Sequence, residues 1–419
     1  MADDERLALN GGMPVRSESF DTAHGVGYLD DDELNAAVEV LKSRSLFRYY
    51  GPEFLDKSGG FEAELRERFS VEHAVAVSSG TAALQAGLVG LGVEEGDEVI
   101  VPAVTFIATV GAVVNARAVP VFAEVDESLN LDPASFEENI TDKTTAVVPV
   151  HLINAACDMD PIMEIAKRRG IRVLEDAAQA AGVSYRGRPV GTIGDAGAFS
   201  LQLEKNITSG EGGFLLTNDF QVFDRAVRYQ DQGGQFTTSK GDVREHSSGD
   251  PFIGTNLRIT EIASAIASVQ LGRMDEIVSS GRERARQIRQ RLGDIPVDWR
   301  TLPHEAGEGG SVTFYLRDAA GARQFGKALR AEGIPAGQIY GGKPVYANPA
   351  VLEQRTPWSK GCPFNCELHP TARRYYMGLC PRSEDLLGRS VGIAVGPRMT
   401  DADVDDIVRS VRKVAHAYL

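Results

Sequence analysis

Gly197-Ala-Phe-Ser-Leu-Gln-Leu-Glu-Lys-Asn-Ile-Thr-Ser-Gly-Glu-Gly-Gly213 is the stretch on which the reading of this chain turns. Lys205 sits in it between Leu203 and Ile207, five residues after Ser200 and five before Gly210-Glu-Gly-Gly, which leads into an apolar run at 213–216. A lone lysine is ordinarily a solvated surface charge. Apolar neighbours change that, because desolvation disfavours the ammonium, lowers its pKa and favours the neutral amine that can add to a carbonyl.

Two upstream stretches give this lysine a context. In Val173-Leu-Glu-Asp-Ala-Ala-Gln, Asp176 and Gln179 follow directly on an apolar strand. Ligands of open α/β sheets sit beyond the carboxyl ends of the strands, so Asp176 is placed where a ring nitrogen could meet it; an Asp there is also a common helix N-cap. In Ala74-Val-Ala-Val-Ser-Ser-Gly-Thr, a strand runs into a helix that carries Leu84 and Leu88. A helix N-terminus offers free N–H groups, and glycine lets an anion approach the backbone, so Gly80 and Thr81 suit a phosphate. The plain alternative is an ordinary capped turn.

Further outward, short apolar runs at 74–77, 98–101, 119–122, 146–150, 172–174 and 213–216 alternate with helical segments. That alternation predicts a mostly parallel sheet covered on both faces. One crossover helix is legible in detail: Ile162, Ile165 and Ala166 form its buried stripe, Arg168 and Arg169 suit its C-terminal end, and Gly170 can take the left-handed position after it. Ahead of the sheet, Leu34, Val38 and Leu41 share one helical face, and 61–69 reads as a second short helix. A long helical stretch at about 260–292 leads to a second domain with an apolar run at 312–316, a helix over 322–331 stopped by Gly333, and a last helix from Asp401 capped by Thr400. The expected organisation is a lead-in segment (1–60), a large domain (61–293) and a small C-terminal domain (294–419). The Pro-, Gly-, Tyr- and Cys-rich stretch 341–382 reads as a functional loop.

Composition narrows the partners. With 419 residues, 42% hydrophobic and 25% charged, the chain is that of a soluble globular protein. A net charge of -15 and a pI near 5.0 argue against nucleic acid, whose binding needs clustered Lys and Arg. The acidic opening Met1-Ala-Asp-Asp-Glu and the lack of a run of about 18 apolar residues predict no membrane span and no secretory signal, so the cytoplasm is the expected compartment. Four cysteines are too few for a disulfide framework. Cys362-x-x-x-Cys366 followed by His369 is a loose zinc spacing, with Cys380 no better placed, so no metal site is expected.

Ser79-Gly-Thr-Ala-Ala-Leu, Gly96-Asp-Glu-Val-Ile-Val-Pro, Thr105-Phe-Ile-Ala-Thr, Glu175-Asp-Ala-Ala-Gln and Phe199-Ser-x4-Lys-x4-Gly-Glu-Gly-Gly stand here in the order found in the DegT-type aminotransferases, which make amino sugars and aminocyclitols. The resemblance runs from Asn10-Gly-Gly-x-Pro-Val-Arg to the terminal helix. It implies the fold-type I architecture of pyridoxal 5'-phosphate (PLP) enzymes: an α/β fold with a mostly parallel central sheet, helices on both faces, and a smaller C-terminal α+β domain. It also implies Lys205 as the Schiff-base lysine and proton carrier, Asp176 on the pyridine nitrogen, Gln179 near the ring hydroxyl and Phe106 stacked on the ring. Gly80, Thr81 and Ser200 would hold the phosphate. Asn256, in Thr255-Asn-Leu-Arg-Ile-Thr, would reach the phosphate of the neighbouring subunit of a homodimer. The implied reaction passes an amino group from glutamate or glutamine to a keto-cyclitol or keto-sugar.

The chain departs from the family pattern at His151-Leu-Ile-Asn, where His-Leu-aromatic-Gly is common, so the acceptor pocket is where the resemblance guides least. The stretches 339–346 and 378–387 look closest to the branch that aminates keto-cyclitols. Competing readings are a PLP-dependent dehydratase, which would carry His in place of Lys205, and a PLP enzyme performing a cyclisation or elimination on an amino acid or nucleotide sugar. A third is a binding protein that merely keeps the fold, which predicts loss of the lysine or of Asp176.

Overall fold

The computed structural model describes residues 6–234, 252–303, 308–358, 360–365 and 373–419. Its main sheet contains β1 (His73–Val77), β2 (Glu98–Pro102), β3 (Val119–Ala123), β4 (Thr144–Val147), β5 (Arg172–Asp176), β8 (Ala196–Ser200) and β9 (Gly213–Thr217) in the order β1-β9-β8-β5-β4-β2-β3. A hairpin of β6 (Ser184–Tyr185) and β7 (Arg188–Pro189) lies between β5 and β8 in sequence. The pairings from β3 through β8 are parallel, and β9 runs antiparallel to both β8 and β1.

Side-chain alternation covers both faces. On β1, Ala74 and Ala76 join the core that contains Phe61, Ile162 and Met274, while Val75 and Val77 join the opposite core with Leu84, Leu88 and Val113. The crossover helix Met159–Arg169 buries Ile162, Ile165 and Ala166 as its pattern requires, and Gly170 ends it at φ 68. The C-terminal part builds an antiparallel sheet of β10 (Asp298–Trp299), β11 (Val312–Tyr315), β13 (Ser390–Ile393) and β12 (Ala336–Gly337), with its own core around Phe314 and Phe325. Leu7 and Phe20 of the lead-in pack into that core. Thr400 caps the last helix, Asp401–Tyr418, in a reciprocal box with Asp403.

Two findings differ from the sequence reading. The strand β8 was not among the apolar runs, because Ala196-Gly-Ala-Phe-Ser carries too little bulk to stand out. The helix Asp31–Ser43 forms, yet Leu34 and Leu41 are 58% and 54% exposed while Glu33 and Val40 turn inward. The inward carboxylate is satisfied: Glu33 accepts from Gln270 Nε2 at 2.7 Å and closes the capping box with Asp30.

Candidate active site

Three chain segments converge beyond the carboxyl ends of β1, β5 and β8. From β1 the chain turns at Ser79, whose hydroxyl accepts from the Ala82 N–H at 3.1 Å and caps the helix Gly80–Gly90. From β5 comes Asp176, and from β8 come Ser200 and the turn to Lys205, closed by the Lys205 N–H on the Gln202 carbonyl at 2.9 Å. Together they wall a cavity of about 510 Å³. Gly80, Thr81, Phe106, Asp176, Gln179, Ser200 and Lys205 all line it. Asn256 is not among the described residues that do; it is exposed, and its Oδ1 accepts from the Arg258 N–H at 3.3 Å.

At one end of the cavity the backbone is packed close. A Cβ on Gly80 would lie 2.7 Å from the Ser200 Cβ, and one on Gly213 would lie 2.5 Å from the Ser79 carbonyl oxygen. The first N–H groups of the helix Gly80–Gly90 lack intrahelical acceptors, and with the Ser200 side chain they form an anion cradle that a side chain at Gly80 would fill. At the other end lies Asp176, 5% exposed. Its Oδ2 accepts from Thr109 Oγ1 at 2.8 Å, Thr109 in turn meets Thr105 Oγ1 at 2.7 Å, and its Oδ1 accepts from the Ala178 N–H at 3.1 Å. Burial raises the Asp176 pKa, while Thr109, Ala178 and the Lys205 charge pull it down. Burial also lowers the Lys205 pKa, against the carboxylates of Asp176 and Glu204.

Phe106, at the start of the helix Ile107–Asn115, is 57% exposed and leaves an aromatic face to the cavity. Gln179 is held at both atoms of its amide: Nε2 donates to the Tyr340 hydroxyl at 3.1 Å, and Oε1 accepts from the Ile153 N–H at 3.2 Å. Tyr340 is 40% exposed, but its hydroxyl is turned inward, and burial pushes its pKa up to about 12. The residues fit PLP, with an anion cradle at one end, a buried carboxylate at the other and a desolvated lysine between them.

Sequence reasoning did not single out Thr109 or Tyr340. Thr109 sits in the quoted Thr105-Phe-Ile-Ala-Thr motif, with Thr105 in the bend ahead of the helix that carries Thr109, whereas Tyr340 comes from 161 residues beyond its partner Gln179 and had no local signal. The departure at 151–154 has a definite shape: Ile153 (φ 49, ψ 60) and Asn154 (φ 55) are successive left-handed residues. Asn tolerates that region; a β-branched residue there is strained. Cys366 and His369 of the zinc spacing lie outside the described residues.

No described helix is long and apolar enough to cross a membrane. The chain is 33% identical over 427 residues to the L-glutamine:2-deoxy-scyllo-inosose aminotransferase of Micromonospora echinospora, with 97% of each chain covered. It is 41% identical to the GDP-perosamine synthase of Caulobacter vibrioides over 293 residues, 68% of this chain and 73% of that one. Among solved structures, the aminotransferase from Psychrobacter cryohalolentis superposes with a TM-score of 0.77 at 28% identity, covering 93% of this chain and 98% of that one. The sequence model of the DegT/DnrJ/EryC1/StrS aminotransferases matches residues 28–372, and the chain belongs to that aminotransferase family.

Proposed function

We propose that the protein is a PLP-dependent aminotransferase that moves an amino group from glutamate or glutamine to a keto-cyclitol or keto-sugar, in the making of an aminocyclitol or amino sugar. The donor leaves as its 2-keto acid and the acceptor leaves as an amine. The observation that carries this reading is the desolvated Lys205 in one cavity with the buried Asp176 and the anion cradle.

When bound there, PLP supplies an electron sink for the electron pair left as the donor's α-proton departs. Lys205 Nζ would hold the cofactor and, as a neutral amine, would accept the donor's α-proton in the first half-reaction and deliver a proton to the acceptor carbon in the second, a role its lowered pKa favours. Asp176, oriented by Thr109 and the Ala178 N–H, would keep a proton on the pyridine nitrogen. Gln179, its amide fixed by Tyr340 and the Ile153 N–H, would meet the ring hydroxyl. Phe106 would stack on the ring, while Gly80, Thr81 and Ser200 would hold the phosphate. Asn256, exposed in its own chain, would complete the phosphate site of a neighbour in a cytoplasmic homodimer.

The test loads the protein with PLP and offers glutamate and glutamine separately. The expected result is loss of the cofactor's visible absorbance with at least one donor and its return on adding a keto-cyclitol or keto-sugar. If neither donor changes the spectrum, the aminotransfer reading fails.

A further inference from the structure

Arg300, just past β10, is 2% exposed and carries its guanidinium into the interior. Among the described residues its side-chain partners are two backbone carbonyls: Nε donates to that of Ser128 at 2.6 Å and Nη2 to that of Leu152 at 2.9 Å, while Nη1 has no partner. We propose that Arg300 is a positioning residue for Gln179: standing on the C-terminal sheet, it fixes the left-handed turn at 153–154 and, through that turn, the amide that faces the cofactor. The proposal rests on the aminotransfer reading and adds a residue outside the first cavity that sets the geometry inside it.

A single peptide plane makes the connection. The Leu152 carbonyl accepts from Arg300, and the Ile153 N–H on the other edge of the same trans peptide unit donates to Gln179 Oε1 at 3.2 Å. The unit is rigid, so turning its carbonyl away from Arg300 also turns its N–H away from Gln179. The next peptide adds a second grip, since the Asn154 N–H donates to the Gln179 carbonyl at 2.9 Å. Arg300 is itself tied to β11, where its own N–H donates to the Thr313 carbonyl at 3.0 Å.

The turn would not stay as it is without such a hold. Ile153 stands at φ 49, ψ 60, a region that a β-branched residue leaves when it is free to. Asn206, the residue after Lys205, holds the other end of the turn by donating from Nδ2 to Asn154 Oδ1 at 2.7 Å. Beyond the turn lies a second cavity, of about 680 Å³, which Ile153 walls together with His24 and Glu204. The turn therefore stands between that space and the first cavity.

A guanidinium is a costly fastener in this place. Burial lowers the Arg300 pKa, and Glu308 and Asp126 act on it only through space, because their carboxylates are engaged by Arg289 and Ser311 and by Ser128. A charge buried without an ionic partner loses hydration that two carbonyls replace only in part. An apolar side chain would fill the same volume more cheaply, but it would not direct two carbonyls at once, as the planar fork does.

Hydrogen exchange of the full-length protein without cofactor tests the grip. In Arg300→Met the amides of Ile153 and Asn154 should exchange at least about tenfold faster than in the wild type, while the helix Asp401–Tyr418 keeps its protection. Arg300→Lys keeps the charge but brings one donor group to two carbonyls; it covers the case in which the Met substitution prevents folding, and it should also speed exchange at these two amides. With PLP bound, the pH midpoint of the visible absorbance should move by about half a unit or more in either variant and in Gln179→Met, and adding the Arg300 substitution to Gln179→Met should move it no further. Unchanged exchange at Ile153 and Asn154, an unmoved midpoint in the Arg300 variants, or a midpoint shift that persists in the Gln179→Met background would overturn the proposal. A wild type that gains no visible absorbance with PLP would instead refute the aminotransfer reading, and exchange in the cofactor-free protein would still decide whether Arg300 holds the turn.

Discussion

The two cavities beside Lys205 are built in opposite ways. The first is assembled from strand ends, where Ser79, Asp176 and Ser200 stand at the carboxyl ends of β1, β5 and β8, with β5 paired parallel to β8 and β1 held in the same direction through the antiparallel β9. The second is assembled from stretches far apart in sequence, around His24, Ile153, Glu204, 310–313, 335–339 and 392–395, and its shape depends on a left-handed turn. Chemistry common to a family belongs on the rigid edge, and discrimination between acceptors belongs where loops meet. If that division holds, substitutions in the first cavity should cost rate with every substrate, and those in the second should cost little until the acceptor is varied.

The largest effect is expected at Lys205. Lys205→Ala removes both the anchor and the proton carrier, and steady-state transfer should fall by at least about 10⁴-fold, the upper end for a lost general acid–base. Reduction of the loaded wild type with borohydride should fix the cofactor to a peptide containing residue 205, and the variant should yield none. A label elsewhere would break the comparison at its root. Asp176→Asn should cost about 10³-fold in kcat, on the scale of losing one preorganised electrostatic partner. Its stability effect has the opposite sign. Burial raises the Asp176 pKa in the folded chain, so the ionised form is the disfavoured one and stability falls as pH rises through the range between the unfolded value, near 3.8, and the raised folded value. The apo Asp176→Asn variant should therefore melt higher than wild type at pH 7, and the two should converge below about pH 4. A variant that melts lower at pH 7 would show that Asp176 is not strained by burial.

How much of this was legible follows the same division. Lys205, Asp176 and Gly80 each sit in a local pattern of strand, turn and small residues, so the first cavity was readable in outline. The strand β8 that delivers Lys205 was missed for want of bulk, and the antiparallel run of β9 could not be read because side-chain alternation carries no strand direction. In the helix Asp31–Ser43 the apolar stripe of Leu34 and Leu41 was legible but its burial was not, because the inward face is decided by what Gln270 offers to Glu33. Tyr340 reaches Gln179 across the fold, a contact that no local pattern encodes.

Thr109 sharpens the comparison from within the first cavity. Its hydroxyl supplies one of the two hydrogen bonds described on the Asp176 carboxylate, in a buried setting where a bond to a charged group contributes about 1.5–3 kcal/mol. Thr109→Val should lower kcat about tenfold with every acceptor, weaken PLP binding, and move the acidic limb of the pH–rate profile upward, since a carboxylate that loses a donor holds its proton to higher pH. Thr109→Ser should restore all three. An effect confined to one acceptor would place Thr109 with the specificity wall.

The smallest effect is expected at the turn itself. Deleting a well-packed, unstrained Ile side chain destabilises a fold by about 2–5 kcal/mol. Ile153 is only partly buried and stands at φ 49, where an L-residue pays about 1–2 kcal/mol that glycine does not. The lost packing and the released strain oppose each other, so Ile153→Gly should change the free energy of unfolding by less than about 1 kcal/mol, as denaturant titration of the apo protein would measure. A loss above 2 kcal/mol would mean that the turn is an ordinary packed element. With stability nearly unchanged, any shift in acceptor preference of the same variant reports the wall alone, because the Gln179 contact is made by the backbone N–H that glycine retains.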